Sequence, residues 1–279
     1  MIYFLIIFSF IFSFGVQSFS LPHNALQLSN SNSGIANSDN ININASGINN
    51  IKNSISFSSL SWYQGVKGSN IDLKWGKTKH HYINVYNLSA DNIELRDLVP
   101  NDNPIGLFDI HHISLSYGFG THISEKLNIG VKTNFTYNQL YVDESYGYHI
   151  NLGVSYLYNK FLSFGISLQQ LGLEKYSNTN YTYPLLAGIG ASMNLNKLNT
   201  QINTDIIFQE ELDSPLSLNV SSISTFSSFS IITGYHFNED KQEFSCGFSF
   251  KYRKIEFDYG IGFHNNLDSP IIFSFKYHI

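Results

Sequence analysis

Apolar and polar residues alternate one by one along most of this chain, in runs too long for ordinary globular strands. Leu127, Ile129, Val131, Thr133, Phe135 and Tyr137 fall on one face of such a run, with Asn128, Gly130, Lys132, Asn134, Thr136 and Asn138 on the other. The next run sets Tyr146, Tyr148, Ile150, Leu152, Val154, Tyr156 and Tyr158 against Gly147, His149, Asn151, Gly153 and Ser155. Near the end, Ile255, Phe257, Tyr259, Ile261 and Phe263 repeat the pattern, followed by Ile271, Phe273, Phe275, Tyr277 and Ile279. Period two sends successive side chains to opposite faces of a strand. Globular strands average about five or six residues, whereas crossing a bilayer at a tilt takes roughly 9–11. No helical capping box with an apolar stripe behind it is present, so the chain reads as all-β.

The same pattern places strands near 51–62, 67–75, 80–89, 109–121, 127–141, 146–158, 161–170, 184–194, 200–209, 215–224, 227–237, 243–252, 254–263 and 270–279, about fourteen in all. The links after the even-numbered strands, near 76–79, 122–126, 159–160, 195–199, 225–226 and 253, are short; those near 90–108, 171–183, 210–214 and 264–269 are longer. An even strand count with alternating short turns and long loops is the pattern of a transmembrane antiparallel barrel with periplasmic turns and extracellular loops. A Greek-key sandwich has no reason to alternate in that way.

Composition fits a wall that needs to be apolar on one side only. Hydrophobic residues make up 43% but charged ones only 13%, about half the share of about 25% usual in soluble domains. Mean hydropathy is −0.10. A net charge of −5 argues against nucleic acid, which calls for a basic stripe. The single cysteine, Cys246, excludes an internal disulfide; it alternates in step with Phe244, Phe248 and Phe250 as a small apolar side chain. Residues 2–14 are almost wholly apolar and are followed by small residues at Val16 and Ser18, which predicts a signal peptide over 1–18 cut between Ser18 and Phe19. Export to the bacterial outer membrane follows. The segment 19–50 is rich in Asn and Ser, and reads equally as a plug inside the barrel 51–279 or as a flexible polar leader.

Strand parity turns His112, Lys132, Asn134, His149 and Asn151 toward the lumen and His111 outward. His112 and His149 lie two strands apart, roughly 10 Å, too far to share a metal. Trp62, Trp75, Tyr146 and Tyr158 fall near strand ends, where aromatic girdles meet the lipid–water interface. Asp143-Glu144, Glu210-Glu211 with Asp213, and Glu239-Asp240 are expected in extracellular loops as solvated charge beside outer-membrane lipid and lipopolysaccharide. No GxSxG, HExxH, phosphate-loop or dinucleotide motif occurs, and no catalytic, cofactor-binding or metal set can be assembled. No enzyme activity is expected.

Several motifs resemble one family. Ser33-Gly34-Ile35-Ala36-Asn37-Ser38-Asp39 followed by Asn44-Ala45-Ser46-Gly47 is similar to the N-terminal signature of the PorV/PorQ outer-membrane proteins, relatives of the FadL fatty-acid transporters, with Ala45 where the family has Pro. Asn92–Asp97, Asn128–Lys132, Tyr146–Val154 (with Asn151 for the family's Asp) and Leu168-Gln169-Gln170-Leu171-Gly172 add weaker matches, and the final Ile279 replaces the usual terminal aromatic. The resemblance implies a fourteen-stranded FadL-like barrel with its N-terminal segment inside. It also implies an accessory or shuttle role in type IX protein secretion and surface attachment. Loops 90–108 and 171–183 would then capture secretion-system proteins or exported cargo. The competing expectation is a FadL-like passive transporter of hydrophobic small molecules.

Overall fold

The chain is described by a computed structural model covering residues 21–37, 40–50, 52–96, 103–210, 214–239, 242–264 and 268–279. The expected signal peptide, with Ser18 and Phe19, lies outside the described residues. Fifteen strands form among the described residues: β1 (Ser54–Ser61), β2 (Lys67–Gly76), β3 (Lys79–Leu95), β4 (Gly106–Ser124), β5 (Leu127–Leu140), β6 (Asp143–Asn159), β7 (Leu162–Tyr176), β8 (Thr179–Thr182), β9 (Leu186–Leu195), β10 (Thr200–Gln209), β11 (Leu216–Phe226), β12 (Phe229–Phe237), β13 (Gln242–Tyr252), β14 (Ile255–Phe263) and β15 (Ile271–His278). β8 pairs only with the far half of β7. The other fourteen make an antiparallel meander that closes where β1 pairs with β15, Ser54 opposite His278 and Ser61 opposite Ile271. Closure gives each of these fourteen strands two neighbours, and only the short β8 is left with an unpaired edge among the described residues.

Side chains sort by phase along each strand. In β6, Tyr146, Tyr148, Ile150, Leu152, Val154, Tyr156 and Tyr158 are exposed on the outer face, while Ser145, His149, Asn151 and Ser155 are buried. Cys246 shares the outer phase of β13 with Phe244, Phe248 and Phe250. The usual distribution is therefore inverted, with Phe, Ile, Leu and Tyr outside and mostly Ser, Asn, Asp and His on the inner wall. None of the described helices is long and apolar enough to cross a membrane.

Turns at one end are short, at 77–78, 125–126, 160–161, 196–199, 227–228 and 253–254. The opposite end carries the longer connections, and there the sequence expectation needs correcting. The expected loop 90–108 shrinks to 96–105, because β3 and β4 keep pairing past a bulge between Ala90 and Ile93. Asn92 takes φ 58° in that bulge and donates its backbone N–H to Asp109 Oδ1 at 2.9 Å. The expected loop 171–183 is largely a hairpin. A register shift opposite Ile150–Leu152, with Gln170 at φ 66°, swings β7 away from β9, and its freed backbone groups pair with β8. Asp143 and Glu144 likewise open β6 rather than lying in a loop.

Candidate functional site

Residues 21–37 and 40–50 lie inside the barrel. A short helix α1 (Ala25–Ser29) is capped by Asn24, whose side chain accepts from Gln27 N at 2.8 Å. A 3-10 turn, Ala45–Asn50, ends the segment. Between them the chain follows the inner wall in a ring. Read from Ala45 back to Ala25, it passes inward glycines on β5, β6, β7, β9, β12, β13 and β14. A Cβ at Gly130 would collide with the Ala45 carbonyl oxygen, one at Gly153 with Asn44 Oδ1, one at Gly165 with the Ile35 carbonyl oxygen, and one at Gly247 with Ser29 Oγ. Glycine on the polar phase of these strands is thus a requirement of close approach.

Polar anchors fix the ring at both ends and in the middle. Asp205 of β10, wholly buried, accepts the backbone N–H of Ile35 at 3.0 Å and, through the same oxygen, that of Gly34. Gly34 sits at φ +114°, a conformation that favours glycine. The Asn44 amide donates to Ile35 O at 2.7 Å and to Val154 O at 3.1 Å, while its oxygen accepts from Ser46 N. The Asn49 amide reaches Ile129 O at 2.7 Å and Thr121 O at 3.1 Å. At the other end Ala25 N donates to Ser274 Oγ at 2.9 Å.

A packed apolar cluster and a polar cavity border this ring. Toward the long-loop end an apolar cluster gathers Ala25 and Leu28 of the segment with Leu60, Tyr86, Leu88 and Ile272, and Leu21, Trp62 and Val66 pack against it. Beside Trp62, burial and then the Glu243 carboxylate push the Tyr63 phenol up to about 12. Beneath the cluster lies a polar cavity of about 30 Å³, enough for one or two waters. The five lumen-facing residues expected from parity, His112, Lys132, Asn134, His149 and Asn151, all line it. His112 Nδ1 donates to Asn138 Oδ1, whose amide is in turn directed at Glu174 and Ser145. His149 Nδ1 donates to Asn151 Oδ1 at 3.1 Å, and its ring meets Tyr183 edge-on. Burial first, and then Glu174, push the Tyr183 phenol up. Among the described residues no cluster of three metal-ligating side chains occurs.

Of the remaining expected residues, Asn44 and Ala45 are buried ring contacts, Ser46 donates to Asn44, and Gly47 N donates to Asn44 O. Trp75, Tyr146 and Tyr158 are exposed on the outer face. Trp62 instead turns toward the inner apolar cluster, because the turn after β1 folds over the mouth, closed by Trp62 N donating to Val66 O. Sequence reading overlooked Asp205, Asn49, Tyr86 and His23, and took Gln170 only as part of a motif. His23 stacks on Tyr86 with ring centroids 3.9 Å apart, and burial, then Lys132 and His112, hold its imidazole well below the usual range. The signal that was available is the recurrence of glycine on the polar phase of strand after strand, which marks a second chain layer against the wall.

No protein-family model and no curated protein matches the sequence. Solved structures match in fold. The Pseudomonas putida toluene transporter TodX superposes with a TM-score of 0.68 at 10% identity, over 92% of this chain and 98% of that one. The Ralstonia pickettii toluene transporter TbuX gives 0.67 at 9% identity, over 92% and 98%. A Pseudomonas aeruginosa FadL homologue gives 0.62 at 6% identity, over 92% and 99%. The likeness is one of architecture: a closed antiparallel barrel of fourteen strands of the FadL type.

Proposed function

We propose that this chain is a bacterial outer-membrane barrel through which hydrophobic small molecules cross passively. The observation that carries this reading is a fold shared along 92% of its length with two barrels named as toluene transporters. The outer face supports a membrane home. Ile55, Phe57, Leu115, Phe135, Ile166 and Phe275 are each more than 45% exposed there. At about 25 cal/mol per Å² such a belt is costly in water and at ease in lipid and lipopolysaccharide acyl chains. The short turns would face the periplasm and the long loops the exterior.

Half-buried Leu21, Trp62 and Val66 at the long-loop mouth are what such a molecule would first meet, and the buried Leu28, Leu60 and Leu88 beneath them would have to part to admit it. Below this cluster the lumen is polar and occupied by residues 21–37 and 40–50, so passage requires that segment to yield. Its anchors are hydrogen bonds and two small apolar clusters, around Leu28 and around Ile48, rather than the strand ladders that hold the wall, which suits a part that must loosen without the wall coming apart. Deleting residues 24–48 should change the flux of a hydrophobic tracer into liposomes holding the purified barrel. Unchanged flux, equal to that of protein-free vesicles in both cases, would remove the transport reading. The type IX secretion role implied by the motif resemblance has the degenerate motifs alone behind it. The loops it would use for cargo are shortened by strand pairing on both sides.

A further inference from the structure

We propose that the cavity beside Lys132 is a binding site for a small monovalent anion of halide size. Lys132 is 3% exposed, and its ammonium donates to a single neutral acceptor, Asn42 Oδ1 of the inner segment, at 2.9 Å. An ammonium buried with one neutral partner is expensive unless an anion stands near. Asp72 acts on it only from a distance. That carboxylate is already taken by Tyr82, Ser56, Asn70 and Asn84, with Tyr82 standing beside Asn42.

None of the described residues lining the cavity is acidic, and donors converge on it. The Tyr86 hydroxyl and His23 Nδ1 are buried, border the space and lack a hydrogen-bond partner. Gln170 presents an unpartnered amide oxygen; turning the amide over aims its Nε2 into the same space. Gln27 spends its own oxygen on His23 N, which leaves its Nε2 for the cavity. A positive charge with a hydroxyl, an imidazole and two amides around about 30 Å³ matches a chloride or bromide ion. The ammonium and the amide N–H groups turn hydrogens into this space, and an anion accepts such charge-assisted bonds more strongly than a neutral water does. Because Asn42 and His23 belong to the inner segment, the ion would also tie that segment to the wall at β5.

The test uses the whole barrel with bromide as the probe. Crystals grown in sodium bromide should show one anomalous peak in contact with Lys132 Nζ in the wild type and none there in Lys132→Met. In detergent, exchanging gluconate, too large for the cavity, for chloride at equal ionic strength should raise Tm of the wild type. The rise should fall by more than half in Gln170→Leu, which keeps Lys132 and serves if Lys132→Met does not fold. Water-like density without anomalous signal in the wild type, a peak that survives Lys132→Met, or the same chloride effect in wild type and Gln170→Leu would overturn the assignment.

Discussion

Replacing Asp205 should release the inner segment without opening the barrel. One carboxylate oxygen accepts the backbone N–H groups of both Gly34 and Ile35, 171 and 170 residues away, at a wholly buried position. In Asp205→Ala both donors lose their acceptor in the interior. Each such orphan costs about 1–3 kcal/mol, and water entering the space offsets part of this, leaving a net cost of about 2–4 kcal/mol. At tenfold per 1.4 kcal/mol, local opening should become roughly thirty- to seven-hundred-fold more frequent. Asp205→Asn keeps an oxygen in place but replaces two charge-assisted bonds by neutral ones. That loses about 1–2 kcal/mol, or roughly five- to thirty-fold. Hydrogen–deuterium exchange followed by mass spectrometry reads this directly in the peptide 30–37, with amides of β12 and β13 as the internal reference. The order of protection should be wild type, Asn, Ala. Equal protection of 30–37 in all three would refute the anchoring argument. A matching loss in β12 and β13 would show instead that Asp205 supports the wall as a whole.

Three further outcomes follow from the same geometry. A Gly153→Val side chain has nowhere to go beside Asn44 and the Ala45 backbone, so residues 40–50 should become protease-sensitive at a cost of about 1–3 kcal/mol, while the strands stay protected. His23 is neutral in the folded state and its pKa is lowered from 6.5, so stability should be full above about pH 6.5 and fall as acid protonates the unfolded chain first. His23→Phe, which keeps the stack on Tyr86, should flatten that acid limb in a series of urea midpoints; an unchanged limb would assign it to another group. The two tryptophans report the membrane placement, since Trp75 is outward and Trp62 packs inward. In vesicles of brominated phosphatidylcholine, fluorescence of Trp62→Phe should be strongly quenched and that of Trp75→Phe weakly; equal quenching would contradict the outward belt.

The strand plan was readable because it is a local property. Alternation over ten or more residues needs no knowledge of the rest of the chain, and the runs around Leu127–Leu140 and Asp143–Asn159 announce their inner and outer faces residue by residue. Parity alone was therefore enough to gather His112, Lys132, Asn134, His149 and Asn151 on one wall. The bulges at Ala90–Ile93 and at Gln170 were not readable, because the decision to keep pairing or to switch partner belongs to two strands at once. Trp62 was misplaced for a related reason: its position near a strand end is local, but the direction of the turn that carries it is not.

By itself, the sequence determined that the chain would be all-β, with about fourteen strands, a polar inner face and an apolar outer one, since side-chain phase follows from the two-residue repeat of extended backbone. Only the tertiary structure decided where residues 21–37 and 40–50 lie. Leader and plug have the same composition, and what separates them is a set of contacts spanning more than a hundred residues of chain, from Asp205 to Gly34 and from Asn44 to Val154. Such contacts exist only once the barrel has closed and brought distant strands around one short segment.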